Sequence, residues 1–196
     1  MTHLLFASHN KHKVEEIRAI LGPDFSVSGL SDLGLVHEIP EPHHSLEENA
    51  LAKVRFVARN HNLDCFADDT GLETEALNGL PGVLSARYAG PAKNSRANID
   101  KLLKELSGKN NRKARFRTVI ALVMDGKEHL FEGVVNGIIA REPRGEHGFG
   151  YDPVFIPDGY NKTFAEMDAE EKNRISHRWM AIDRLAGFLK QSSAPR

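Results

Sequence analysis

"CFADDTGLE", residues 65–73, opens as an apolar run and then sets two carboxylates, Asp68 and Asp69, side by side before Thr70 and Gly71. The pattern reads as a buried strand that ends at the doublet and passes into a turn. Successive strand residues point to opposite faces, so the two acids need not compete for one site. At a strand end, one can face a ligand while the other bonds nearby backbone. A carboxylate so placed can hold Mg²⁺, which takes one or two carboxylates and completes its shell with phosphate oxygens and water. It can also accept a proton from an attacking water. A solvated Asx-type turn would have the same composition.

Outward from this stretch, strands and helices alternate. On the N-terminal side, "HLLFA" (residues 3–7) is a short buried strand. Val14, Ile17 and Leu21 then recur at helical spacing from Lys11 to Leu21, where Gly22-Pro23 stops the helix. "FSVSGL", from Phe25, alternates as a strand does, and Ser45 with Glu48 forms a capping box for a helix facing inward through Leu46, Ala50, Val54 and Val57. On the C-terminal side, "LETEAL" alternates with period two and "GLPGV" (79–83) is turn chemistry. Ser95 is the expected cap of a helix carrying Ile99, Leu102, Leu103 and Leu106. A basic polar loop, 107–115, precedes a long strand from Ala114 to Met124. Asp125-Gly126 turns that strand back into "HLFEGVVNGIIA". Thr163 and Glu166 form a second capping box, and Ile175, Trp179, Ile182, Ala186 and Leu189 mark a last helix capped by Ser176. Helices between early strands, followed by long antiparallel-looking strands, predict an α/β fold with a mixed sheet, in one domain over residues 1–196.

Composition narrows the function classes. The chain of 196 residues is 40% apolar and 27% charged, with a formal net charge of -1, so no global charge excess points to nucleic acid or an anionic membrane. The single cysteine, Cys65, excludes an internal disulfide and a multi-cysteine zinc site. Apolar runs fall short of the roughly 20 residues of a membrane span, and the N-terminal apolar stretch is short for a secretory signal. The expected compartment is the cytoplasm.

Four further stretches carry chemistry. "FASHNKHK" joins a strand end to a helix start, where unpaired N–H groups and the charges of Lys11 and Lys13 would suit phosphate; a capped helix with solvated lysines is the plainer alternative. "HEIPEPHHSLEENA" holds Glu38, Glu41, Glu47 and Glu48, of which Glu41, in a loop, is a metal candidate; adjacent His43 and His44 are a poor zinc pair. In "GEHGFGYDPVF" (145–155), glycines flank Phe149, so that Phe149 or Tyr151 could stack on a base while Asp152 accepts a base N–H. In "EEKNRISHRWMA", Lys172, His177 and Arg178 gather donors near a helix start. "ADDTG" lacks the Asp-x-Asp spacing of haloacid-dehalogenase-type phosphatases.

"SHNKHK", "LEENALAK", "FADDTGL", "PGVLSARY", "FGYDPVF" and "EEKNRISHR", in this order, resemble the inosine triphosphate pyrophosphatase family from Leu4 to about Leu189. The resemblance implies a mixed, elongated twisted sheet with flanking helices, two lobes around a central cleft, Mg²⁺ dependence and a homodimer. It implies hydrolysis of non-standard purine nucleoside triphosphates (ITP, dITP, XTP) to the monophosphate and pyrophosphate. By position, Ser8, His9, Asn10, Lys11, His12 and Lys13 would hold the triphosphate. Glu41 and Asp69 would bear the metal, and Asp69 would accept the proton. Lys53 and Thr70 would touch substrate. Phe149, Gly150, Tyr151 and Asp152 would hold the base, with Lys172, His177 and Arg178; Arg87 also matches a motif position. His9 stands where the family usually has a small residue. Pro42, His43 and His44 stand where it often has a threonine-glycine pair, which leaves Glu38 as the alternative metal ligand. Other readings are a related pyrophosphatase with another modified-base preference, and a nucleotide-binding module without catalysis.

Overall fold

The computed structural model describes residues 2–35, 39–40, 42–61 and 63–192. The elements follow in the order β1 (Thr2–Phe6), α1 (Lys11–Leu21), β2 (Phe25–Gly29), α2 (Leu46–His61), β3 (Cys65–Thr74), β4 (Pro81–Gly82), α3 (Ser95–Glu105), β5 (Lys113–Met124), β6 (Lys127–Ile139), β7 (Phe155–Pro157), α4 (Ala169–Ile175) and α5 (His177–Ser192). The strands form one sheet in the order β2-β1-β3-β5-β6-β7, with β4 paired to β3. β1 runs parallel to β2 and β3, whereas β4 and β7 run antiparallel to their neighbours. The fold is therefore mixed α/β, as the patterning predicts. Asp125 and Gly126 both take positive φ (50° and 71°), the geometry of a two-residue hairpin, and join β5 to β6. Among the described residues, no helix is long and apolar enough to cross a membrane.

The chain divides into two compact units, one of Met1–Asp69, Thr118–Gly133 and Arg178–Arg196, the other of Thr70–Arg117 and Val134–His177. The first has its core where α1, through Val14, Ile17 and Leu21, and α5, through Ala181, Ile182, Leu185 and Leu189, cover Leu4, Phe6, Phe66, Ile120 and Leu122. Phe6 and Phe66 stand in register on β1 and β3, and their rings stack at 4.9 Å. In the second unit, Phe116, Phe155, Phe164 and His177 form an aromatic cluster; the His177 imidazole stacks on Phe116 at 4.6 Å and 12°. There β4 lies so close to β3 that a Cβ on Gly71 would stand 2.7 Å from the Gly82 carbonyl oxygen, which accounts for a glycine inside a strand.

Three local expectations change. β3 does not end at the carboxylate doublet but runs through Thr70 and Gly71 to Thr74, because pairing with β4 at Leu72 and Glu73 keeps its backbone groups in a ladder. Asn94, not Ser95, caps α3: its side chain accepts the Ala97 N–H at 2.9 Å, and Ser95 is the first helical residue. The Thr163–Glu166 capping box is present as expected and closes a single 3₁₀ turn. Ile175 belongs to the separate helix α4, capped by Asp168, and extended backbone at Ser176 divides α4 from α5.

Candidate active site

In the first unit, β1 delivers the chain to Ser8 and α1 begins three residues later. Asn10 is its cap, accepting the Lys13 N–H at 3.3 Å, while the Ser8 hydroxyl accepts the Asn10 N–H at 3.2 Å. The His9 imidazole lies 3.5 Å from the Ser31 hydroxyl. Lys11 and His12 are exposed, and the first turn contains no acid. This end of α1 thus presents positive dipole and lysine charge without a competing carboxylate in that turn.

Lys13 behaves differently from Lys11. Its ammonium donates to the Asp68 carboxylate at 2.8 Å. Asp68 is 1% exposed, and its other oxygen lies 3.4 Å from two guanidinium nitrogens of Arg178, at the start of α5. Arg178 donates its remaining arm to Glu16, three residues after Lys13 on α1. From α2, the Lys53 ammonium donates to the Asp68 carbonyl at 2.8 Å and stands 3.5 Å from the Asp69 carboxylate. Burial alone would raise the Asp68 carboxyl; the Lys13 ammonium, then Arg178 and Lys53, outweigh it and hold Asp68 well below the usual carboxylate range. Three cations and three carboxylates meet here, which is how so much charge is kept out of water.

Asp69, on the opposite face of β3 by strand alternation, is 8% exposed. Besides Lys53 it receives the Asn49 side-chain amide at 3.1 Å. Asn49 and Lys53 are four residues apart on α2, so both project from one helix face. Glu41 and Glu38 lie outside the described residues. Among the described residues no group of three or more His, Cys, Asp or Glu side chains could hold a metal.

The second unit holds the other predicted set. Asp152 is 3% exposed; one oxygen accepts both the Phe149 N–H at 2.8 Å and the Lys172 ammonium at 2.9 Å. The same ammonium lies 5.2 Å from the centre of the half-buried Phe149 ring. Gly148 makes room for this carboxylate: with φ at +75°, its Cβ would stand 2.1 Å from Asp152 Oδ2. Gly150, by contrast, borders open space. Tyr151 is buried and donates its hydroxyl to the Ser85 carbonyl at 2.9 Å; burial pushes its phenol well above the usual tyrosine value, so it stays a neutral donor. Phe149 is thus the partly accessible aromatic of the pair. Thr70 is half-buried where the second unit begins. Sequence reasoning misses Asn49 and Glu16. Their helical offsets, four before Lys53 and three after Lys13, are the signal that could have found them.

A model of the Ham1 family matches residues 4–188. A dITP/XTP pyrophosphatase of Porphyromonas gingivalis is 54% identical over 190 residues, covering 96% of this chain and 98% of its own. One from Flavobacterium psychrophilum is 50% identical over 187 residues, covering 95% of this chain and 98% of its own. The solved structure of the Staphylococcus aureus Ham1 protein superposes with a TM-score of 0.88 at 41% identity, over 98% of this chain and all of that one. The chain belongs to the Ham1 family.

Proposed function

We infer that the chain is a nucleoside triphosphate pyrophosphatase, which hydrolyses non-standard purine nucleoside triphosphates such as dITP, XTP and ITP to the monophosphate and pyrophosphate. The observation that carries this reading is near-full-length identity of 50% or more to two dITP/XTP pyrophosphatases. The arrangement of the side chains supports it.

Asp69 is assigned the proton of the attacking water. Its carboxylate meets the Asn49 amide and the Lys53 ammonium, while the Asp68 carboxylate pairs with Lys13 and Arg178. Ser8, His9, Asn10, Lys11 and His12, at the helix start, are assigned to the triphosphate, with Lys13 and Lys53 supplying charge beside them. The donor set fits Mg²⁺, because one or two hard carboxylates suffice when phosphate oxygens and water complete the shell. Asp69 and Glu41 would hold it, and when bound it would neutralise phosphate charge. Phe149 and Gly150 are assigned to the face of the base, and Asp152 with Lys172 to its edge, one accepting and the other donating. Tyr151 and His177 are assigned to the walls behind them, and Arg178 to the charge network around Asp68. Thr70 is assigned a substrate contact. A homodimer in the cytoplasm, with no nucleic-acid or membrane partner, completes the reading.

The test is product analysis on a panel of nucleoside triphosphates with Mg²⁺. Pyrophosphate plus monophosphate from ITP and XTP, with ATP a poor substrate, is the expected result. Release of single phosphates overturns the reaction, and binding without turnover overturns the enzyme.

A further inference from the structure

The Asn49 side chain is 1% exposed, and its amide has a defined direction. Its oxygen accepts the His43 N–H at 3.0 Å and its nitrogen donates to the His43 carbonyl at 3.3 Å. Those two bonds to one backbone residue settle which end faces which way. The second N–H of the amino group is then aimed at Asp69 Oδ2, at 3.1 Å. A flipped amide would set oxygen against oxygen at both places. Lys53, on the same face of α2, reaches the other carboxylate oxygen, Oδ1, at 3.5 Å. Both oxygens of Asp69 are thus addressed from one rigid helix face, and two contacts fix the rotation of a carboxylate where one would not.

We propose that Asn49 is a positioning residue: it orients the Asp69 carboxylate and ties it to the backbone of the loop that follows Glu41. The inference rests on the functional reading above, in which Asp69 accepts the proton. A buried asparagine could satisfy loop backbone and do nothing more. The third hydrogen bond, to Asp69, is what separates the two roles, because an asparagine that served only the loop would not touch the reacting group. Misplacing a reacting group by about 1 Å can cost on the order of 10²-fold in rate.

The experiment compares the full-length wild type with Asn49→Asp and Asn49→Ala. For each, kcat and KM on ITP with Mg²⁺ are measured, and hydrogen–deuterium exchange over residues 42–46 is followed without substrate or metal. Asn49→Asp keeps an acceptor for the His43 N–H but loses the donor to the His43 carbonyl and to Asp69, and sets a second carboxylate beside Asp69. Exchange in that variant stays close to wild type, while kcat falls roughly ten- to hundredfold and KM moves less than about threefold. In Asn49→Ala, exchange rises and kcat falls at least as far. Exchange in α5 and β5 reports whether each variant is folded; Asn49→Ser replaces an alanine variant that is not. A kcat within about twofold of wild type in the folded Asp variant, or a loss confined to KM, overturns the proposal. If the wild type itself releases no pyrophosphate from ITP, the functional reading falls, and this inference with it.

Discussion

Asp68 lies among Lys13, Lys53 and Arg178, whereas its neighbour Asp69 meets the Asn49 amide and one edge of Lys53. Strand alternation separates them: one residue along β3 turns the side chain to the other face. The doublet is tolerable because cations flank both acids: Lys13 and Arg178 pair with the Asp68 carboxylate, and Lys53 stands between the Asp68 carbonyl and the Asp69 carboxylate. Asp69→Asn keeps the shape and removes both assigned capacities, metal ligation and proton acceptance. We expect kcat to fall on the order of 10²-fold or more, since general base catalysis alone contributes about that. Turnover near wild type in a steady-state assay would show that the proton goes elsewhere.

At the scale of the element, helices act as rulers. α2 brings Asn49 and Lys53 to β3 at one helical turn's separation, and α1 brings Lys13 and Glu16 to opposite signs of the same charge network. Helix starts are set by whichever side chain reaches the free N–H groups, and adjacent candidates compete. At α3 the pair is Asn94 and Ser95, and the asparagine has the hydrogen bond. Asn94→Ala should therefore cost about 1 kcal/mol of stability, and Ser95→Ala only a few tenths. Urea denaturation of both variants decides it; equal losses would return the cap to Ser95. β3 shows how an element outlasts its local signals, since Thr70 and Gly71 read as a turn but are carried on by the pairing of Leu72 with Gly82.

For the whole molecule, near neutrality at pH 7 conceals a one-sided response to acid. Asp68 is held low against its burial by Lys13, Arg178 and Lys53, and three exposed carboxyls are also depressed: Asp32 by the Gly29 N–H, Glu128 by Arg55 and Glu166 by the Thr163 N–H. A depressed folded pKa gives stability that is present above the unfolded value, about 4 for these groups, and is lost as pH falls through the folded value. The exposed three contribute little through solvent screening, whereas the buried Asp68 contributes strongly to the acid response. Removing its charge strands Lys13 and part of Arg178, and Asp68→Asn should cost about 3–5 kcal/mol near pH 7. Below pH 4 wild type loses stability steadily, and the variant's curve should be flatter there. Urea midpoints for both proteins between pH 7 and 3 provide the check, and parallel curves would take Asp68 out of the acid response. Cys65, buried with its thiol pushed up to about 12 by that burial, adds no redox response in the native state.

The sequence by itself determined the strand–helix alternation, the buried face of α1 through Val14, Ile17 and Leu21, the hairpin at Asp125-Gly126, and a family resemblance that runs nearly the full chain. These are written in spacings of a few residues, where periodicity and turn chemistry act. It also marked the residues of both candidate sets, but not what they do for one another. That Lys13 pairs with Asp68, 55 residues away, and Arg178 with the same carboxylate, 110 residues away, follows only from how β1, β3, α1 and α5 pack. The same holds for Gly148, whose lost Cβ makes space for Asp152, and for Asn49, whose amide is aimed by a loop backbone. A buried charge or amide takes whichever partner the packed elements bring within about 3 Å, and no local pattern encodes that distance.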